Sequence, residues 1–211
     1  DMADRSAITA FRDAVIAYFG AIDLLINNAG IALGDRIFGE VTPDDFEKIT
    51  NINYWGVIHT TQEFYEHLCD RPDAAIANLS SSQGILAMPY LVPYCTTKFA
   101  VRGFTDALRV EHKIRGVKNL SVHTIHPGGV ATDIAIKADY QGGNSQLFHE
   151  MLQQGTTASK AAKIILNGIL KNKGRIFISD GWLQDWIARI APSAIHHVVG
   201  VMFKLTGAKT R

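Results

Sequence analysis

Tyr94 and Lys98 stand four residues apart in a segment that reads as a helix, so their side chains share one face. A phenol ionises near 10, too high for good proton exchange at neutral pH, and a cation within about 4–6 Å lowers that value by roughly 1–3 units. Lys98 has the charge and the spacing to be that cation. Ser81 lies thirteen residues before Tyr94, at the end of a strand-like run, where its hydroxyl is suited to hydrogen-bond a substrate oxygen. Asn53 falls on the mostly apolar row Phe46, Ile49, Val57, Thr60 and Phe64. Each has an ordinary explanation on its own: a chance helical pair, a serine loop (Ser80, Ser81, Ser82), a core amide bonded to backbone. Their joint order and spacing point to positioned proton transfer.

The elements that must hold these groups alternate between strand and helix. Residues 23–27, 74–79, 120–125 and 175–178 are short apolar runs without period-two alternation, as expected when both sheet faces are covered. Each ends in small or polar residues, Asn28-Ala29-Gly30, Ser80-Ser81-Ser82 and Pro127-Gly128-Gly129 among them, at the strand ends where open α/β sheets build a ligand crevice. Helices are expected over 7–19, from Pro43 behind a Thr42 cap to about Cys69, from near Pro93 past Glu111, and from Thr156 or Thr157 to about Lys171. The fold expected is a three-layer, Rossmann-like parallel α/β sheet with helices on both faces.

The composition allows this and excludes other classes. A chain of 211 residues, 47% hydrophobic and 19% charged, is globular, with one domain over 1–181 and an amphipathic extension over 182–211. A net charge of +1 gives no electrostatic footprint for nucleic acid. Cys69 and Cys95 are too few for a disulfide framework, and no secretory or spanning segment is evident, so a cytoplasmic location is expected. None of the eight histidines forms a metal-ligand spacing such as H-E-x-x-H, so no metal is expected.

Taken together, these motifs resemble the short-chain dehydrogenase/reductase family. Asn27-Asn28-Ala29-Gly30 resembles its N-N-A-G turn, and Ile52-Asn53-Tyr54-Trp55-Gly56-Val57 its active-site asparagine segment. Ser81 followed by Tyr94-Cys95-Thr96-Thr97-Lys98 is similar to its Ser, Tyr-x-x-x-Lys signature, and Pro127-Gly128-Gly129-Val130-Ala131-Thr132 to its P-G-x-x-x-T stretch. The resemblance implies an NAD(P)-dependent oxidoreductase interconverting a secondary alcohol and a ketone, with NAD and NADP undistinguished. Tyr94 would be the general acid and base, Ser81 would orient the substrate oxygen, and Asn53 would hold a water linking Lys98 to solvent. Lys98 would lower the Tyr94 pKa and bind the ribose hydroxyls. Asn28, Ala29 and Gly30 would lie beside the adenosine side, and Pro127, Gly128, Val130 and Thr132 would border the nicotinamide. Asp1 resembles the acidic position that touches adenine.

The sequence departs from the family at its start, where the T-G-x-x-x-G-x-G turn is missing. The expectation is therefore a chain shortened by about two βα units, roughly 60 residues, that binds dinucleotide poorly by itself. A rival reading is a non-catalytic binding or assembly protein without its cofactor half. An epimerase or dehydratase of the extended branch is a further rival, but it needs a larger substrate domain after the sheet. The resemblance implies that residues 139–149 are the variable substrate loop, whose Tyr140, Leu147 and Phe148 point to an apolar substrate; an ordinary solvent-exposed loop is an equal reading of the same residues. In the tail, Trp182, Leu183, Trp186, Ile187 and Ile190 recur at helical spacing and could cover the pocket, join another subunit or touch a membrane. The family's common use of the helices near 43–69 and 94–111 for dimers implies a homo-oligomer.

Overall fold

The computed structural model describes residues 1–139, 144–190 and 192–205, apart from the side chain of residue 202. Helix α1 (Arg5–Phe19) starts at Asp4, whose carboxylate accepts from the Ser6 and Ala7 amides, and stops at Gly20, which adopts a left-handed φ of 75°. Strand β1 (Leu24–Asn27) leads through an irregular loop to α2 (Pro43–Thr50), which opens with a capping box between Thr42 and Asp45. The long helix expected to Cys69 is not uniform. It passes through a π-turn (Asn51–Trp55) before resuming as α3 (Gly56–Cys69), and Asn53 sits on that turn. Such turns insert a residue into the helical ladder and re-aim the side chains that follow.

Strand β2 (Ala74–Leu79) ends at the serines, and α4 (Val92–Arg115) carries Tyr94 and Lys98 in its first two turns. After β3 (Leu120–Pro127) a short strand β4 (Val130–Ala131) pairs with β5 (Thr156–Thr157) across α5 (Ser145–Gln153). Helix α6 (Ala158–Leu170), capped by Thr157, returns to β6 (Arg175–Ile178), and α7 (Gly181–Ile190) and α8 (Ile195–Leu205) follow. The main sheet is parallel throughout, in the order β1-β2-β3-β6.

The core has two halves, one on each face of the sheet. Phe64 and Leu68 of α3 pack on Leu25, Ala74, Ile76 and Leu120; on the other face Ala161 of α6 packs on Ala77, Ile125, Ile176 and Ile178. This is the three-layer α/β sheet expected. One expectation fails at β1, which is covered on one face only: Leu25 and Asn27 are buried, whereas Leu24 and Ile26 are exposed. Helix α6 reaches β3 and β6, not β1. Residues 139–149 also depart from the expected loop, because α5 begins at Ser145. Its start is stabilised from 110 residues away by the buried Asp35, which accepts from Ser145 Oγ (2.9 Å) and the Asn144 amide (3.1 Å). Tyr140, Gly142 and Gly143 lie outside the described residues.

Between α4 and β6, Asp106 accepts from Arg175 (2.5 Å) and Arg109 (3.0 Å). Burial opposes its charge, but the two guanidinium groups outweigh burial and hold its carboxyl below the usual carboxylate range. A depressed folded-state pKa stabilises the fold above the unfolded carboxylate range and loses that contribution as pH falls through the folded value. Asp106→Asn is therefore predicted to lower unfolding free energy at pH 7 by about 1–2 kcal/mol, modest because the ion pairs are part-exposed. In urea titrations the gap between variant and wild type should close below the folded pKa; an equal gap at all pH would contradict this.

Candidate active site

Four side chains from three elements converge at the carboxyl ends of β1, β2 and β3. Ser81 ends the β2 segment in extended backbone, and its Oγ accepts from the Gln83 amide (3.1 Å) and donates to Gln83 Oε1 (2.5 Å). Tyr94 and Lys98 face this strand end from α4. The Ser81 hydroxyl lies beside the Tyr94 phenol and acts to lower its pKa, and Lys98 Nζ lies 5.6 Å from the Tyr94 ring centroid. Ser82, by contrast, has a buried Oγ without a hydrogen-bond partner among the described residues.

Lys98 is held by its surroundings. Its Nζ donates to Leu79 O at the end of β2 (3.0 Å), and its own carbonyl accepts from Ser80 Oγ (2.7 Å). Gly84 completes the contact: a Cβ there would stand 2.7 Å from Lys98 O, so only glycine lets the turn approach α4. Burial pushes the Lys98 amine down to about 8 and the Tyr94 phenol up to about 12, the latter partly offset by the Ser81 hydrogen bond. Burial is thus the dominant influence on the Tyr94 phenol. At neutral pH the phenol is protonated.

Asn53 is wholly buried, and its amide clamps the chain beyond β1. Oδ1 accepts from the Ile31 amide (2.8 Å), while Nδ2 donates to Ile31 O (2.9 Å) and Thr97 Oγ1 (3.3 Å). Both amide N–H groups are thus engaged, and the second lone pair of Oδ1 remains as capacity for a water. Gly30 fits between Asn53 and Lys98: a Cβ there would lie 3.1 Å from Asn53 Oδ1 and 3.5 Å from Lys98 Nζ. Behind this turn, Asn27 Nδ2 donates to Thr61 Oγ1 (3.0 Å) and Asn78 Oδ1 (2.8 Å), and Asn78 Nδ2 to Thr105 Oγ1 (3.0 Å). This buried amide chain ties β1 and β2 to α3 and α4.

The third strand end is formed by Pro127, Gly128, Val130 and Thr132. Gly128 is packed so closely on the Asp180 carboxylate that a Cβ would collide with it, and the Gly129 amide donates to Asp180 Oδ1 (3.4 Å). Thr132 is exposed, and its carbonyl accepts from Gln153 Nε2 of α5 (3.3 Å). Asn28, Ala29 and Gly30 are exposed at the same edge of the sheet. Asp1 is exposed and accepts from the Ala3 amide (2.9 Å), while Met2 behind it packs on Gly56, one residue past the π-turn.

Several residues here escaped the sequence reading. His126 donates from Nδ1 to Ser81 O (3.0 Å) and stacks on Phe177, and burial pushes its pKa down to about 4, so the ring is a neutral clamp between β3 and the serine turn. Thr97 and Gln83 hold Asn53 and Ser81, yet in the sequence they are only neighbours of motif residues. Tyr90 adopts a left-handed φ of 64°, and its ring meets Phe203 of α8, which also faces Phe148 of α5. An aromatic cluster thus joins the loop before α4 to α5 and α8. Cys95 is the small packing residue expected, its thiol buried against Met88.

A parallel α/β sheet with helices on both faces, presenting a lysine, a phenol and a hydroxyl at its strand ends, defines a Rossmann-like scaffold. The chain belongs to the short-chain dehydrogenase family, an oxidoreductase family, whose model matches residues 1–141. It is 36% identical over 204 residues to SadH of Mycobacterium tuberculosis, which is named as an oxidoreductase, covering 94% of this chain and 73% of that protein. It is also 28% identical over 214 residues to the dehydrogenase/reductase SDR family member 7B of Mus musculus, covering 100% of this chain and 63% of that one. Among solved structures, a short-chain dehydrogenase/reductase from Burkholderia phymatum in complex with NAD superposes with a TM-score of 0.81 at 24% identity, covering 94% of this chain and 75% of that one.

Asn53→Leu removes every amide contact to Ile31 while keeping the volume. It is predicted to cost about 2–3 kcal/mol of stability, because the Ile31 amide and carbonyl lose their partner. Hydrogen exchange at the Ile31 amide should accelerate in the variant; unchanged exchange would show that Asn53 does not hold the turn.

Proposed function

We propose that this chain carries the proton-transfer and substrate site of an NAD(P)-dependent oxidoreductase that interconverts an apolar secondary alcohol and its ketone. The observation that carries this reading is the meeting of Tyr94, Ser81 and Lys98 at one strand end. The NAD bound by the Burkholderia relative supports a nicotinamide partner, as do this chain's own donors. Lys98 has N–H capacity beyond Leu79 O for ribose hydroxyls, and Asn28, Ala29 and Gly30 lie open beside it. Pro127, Gly128, Val130 and Thr132 form the opposite border, and Asp1 stands near the π-turn on the adenine side.

The bound nicotinamide would supply or accept the hydride, and the protein's part is orientation and a proton. In reduction, Ser81 Oγ hydrogen-bonds the carbonyl oxygen and holds it against the Tyr94 phenol. Tyr94 gives its proton to that oxygen, and the ammonium of Lys98 stabilises the phenolate left behind. Asn53 Oδ1 and Lys98 Nζ both border Gly30, where a water would return the proton from solvent. In oxidation Tyr94 takes the proton instead. The aromatic cluster of Tyr90, Phe148 and Phe203 favours an apolar substrate, and a homo-oligomer through α3 and α4 is part of the same reading.

The test is turnover of the full-length protein on a panel of aliphatic and aromatic ketones with NADH and NADPH. Tyr94→Phe is expected to lower kcat by about 10²–10⁴-fold, whereas Ser82→Ala stays near wild type. Reduction needs the neutral phenol and charged Lys98, so its rate should hold through neutral pH and decline above about 8, while oxidation rises with pH. Full activity in Tyr94→Phe, or no turnover with either cofactor, would overturn the proposal.

A further inference from the structure

Helix α7 turns its polar side inward and its apolar side to solvent. Gln184 and Asp185 are 9% and 8% exposed, whereas Trp182 and Trp186 are 55% and 59% exposed and Leu183 and Ile190 lie on the same outer stripe. The inward pair fixes this orientation. Gln184 Nε2 donates to Asp180 (2.8 Å), and Asp185 accepts from Arg175 of β6 (3.2 Å) and Arg189 (2.7 Å). Rolling the helix to bury its indoles would break these bonds.

The stripe continues onto α6. Trp182 borders a groove of about 340 Å³ with Ile164, Lys171 and Lys173, and Leu166 and Leu170 are exposed on the same helix. Charge around it has one sign: residues 158–205 contain seven basic residues and two acidic ones. Asp185 is buried and paired with Arg175 and Arg189, and the exposed Asp180 is bonded to Gln184, while Lys163, Lys171 and Lys173 are exposed.

We infer that the outer face of α7, with the adjoining end of α6, docks on an anionic lipid surface. Indoles favour the depth of lipid headgroups, leucine and isoleucine enter the acyl boundary, and lysines around them meet anionic headgroups. A second copy of the same face would set lysine against lysine, which is why lipid fits better. Neither α7 nor any other single described helix is long and apolar enough to cross a membrane, and α8 buries Val199 and Phe203 against the body. The mode is therefore a helix lying in the interface, and it does not depend on the catalytic proposal.

The experiment is sedimentation of the full-length protein with phosphatidylcholine vesicles, with and without phosphatidylglycerol. Binding is expected to require phosphatidylglycerol, to weaken with salt and to blue-shift the tryptophan emission. Trp182→Ser with Trp186→Ser should weaken binding by about tenfold or more, with unchanged circular dichroism and melting because both side chains face solvent. Lys171→Glu with Lys173→Glu should remove the phosphatidylglycerol dependence. No binding to anionic vesicles, or equal binding by the tryptophan variant, would overturn the inference. So would a concentration-dependent dimer abolished by the same tryptophan substitutions, since a second copy would then occupy the face.

Discussion

Burial of an ammonium and a phenol side by side is the constraint on which the site depends. Lys98 can be placed among apolar groups only because Leu79 O receives its Nζ at the end of β2. That requires α4 to lie tightly on the serine turn, which in turn requires glycine at position 84 and the Ser80 bond to Lys98 O. Desolvation then sets the protonation states: the phenol is pushed up to about 12 and the amine down to about 8. The same packing leaves Gly30 as the narrow seat between Asn53 and Lys98.

The fold and much of the site were legible because local rules and tertiary demands agree there. β2 and β6 fall where their apolar runs predict, and Thr42 and Thr157 cap helices as their types suggest. What was illegible came from long-range contacts. The π-turn under Asn53 leaves no sequence mark, and α5 depends on Asp35, far away in the chain. The burial of the Tyr94 phenol was illegible for a similar reason: spacing reveals that Lys98 is near, but only the packed structure reveals the loss of hydration. His126 was overlooked because a histidine before proline carries no pattern, though its ring holds the Ser81 carbonyl.

The two C-terminal helices show how one apolar tail can divide its roles. α8 sends Phe203 toward Tyr90 and Phe148, while α7 is pinned by Asp185 with its indoles outward. Sequence periodicity treats them alike, since it reports that a helix has an apolar face and not which way that face turns. The part-buried arginine network around Asp106 and Asp185 decides the direction.

The most direct measurement is an NMR titration of the full-length protein with labelled lysine and tyrosine, assigned through Lys98→Met and Tyr94→Phe. The account predicts a lysine titrating near 8 and a tyrosine that stays protonated until about 12. A Tyr94 phenolate forming well below the free value of about 10, with Lys98 titrating at or above its own free value, would contradict it and restore the opposite order of effects.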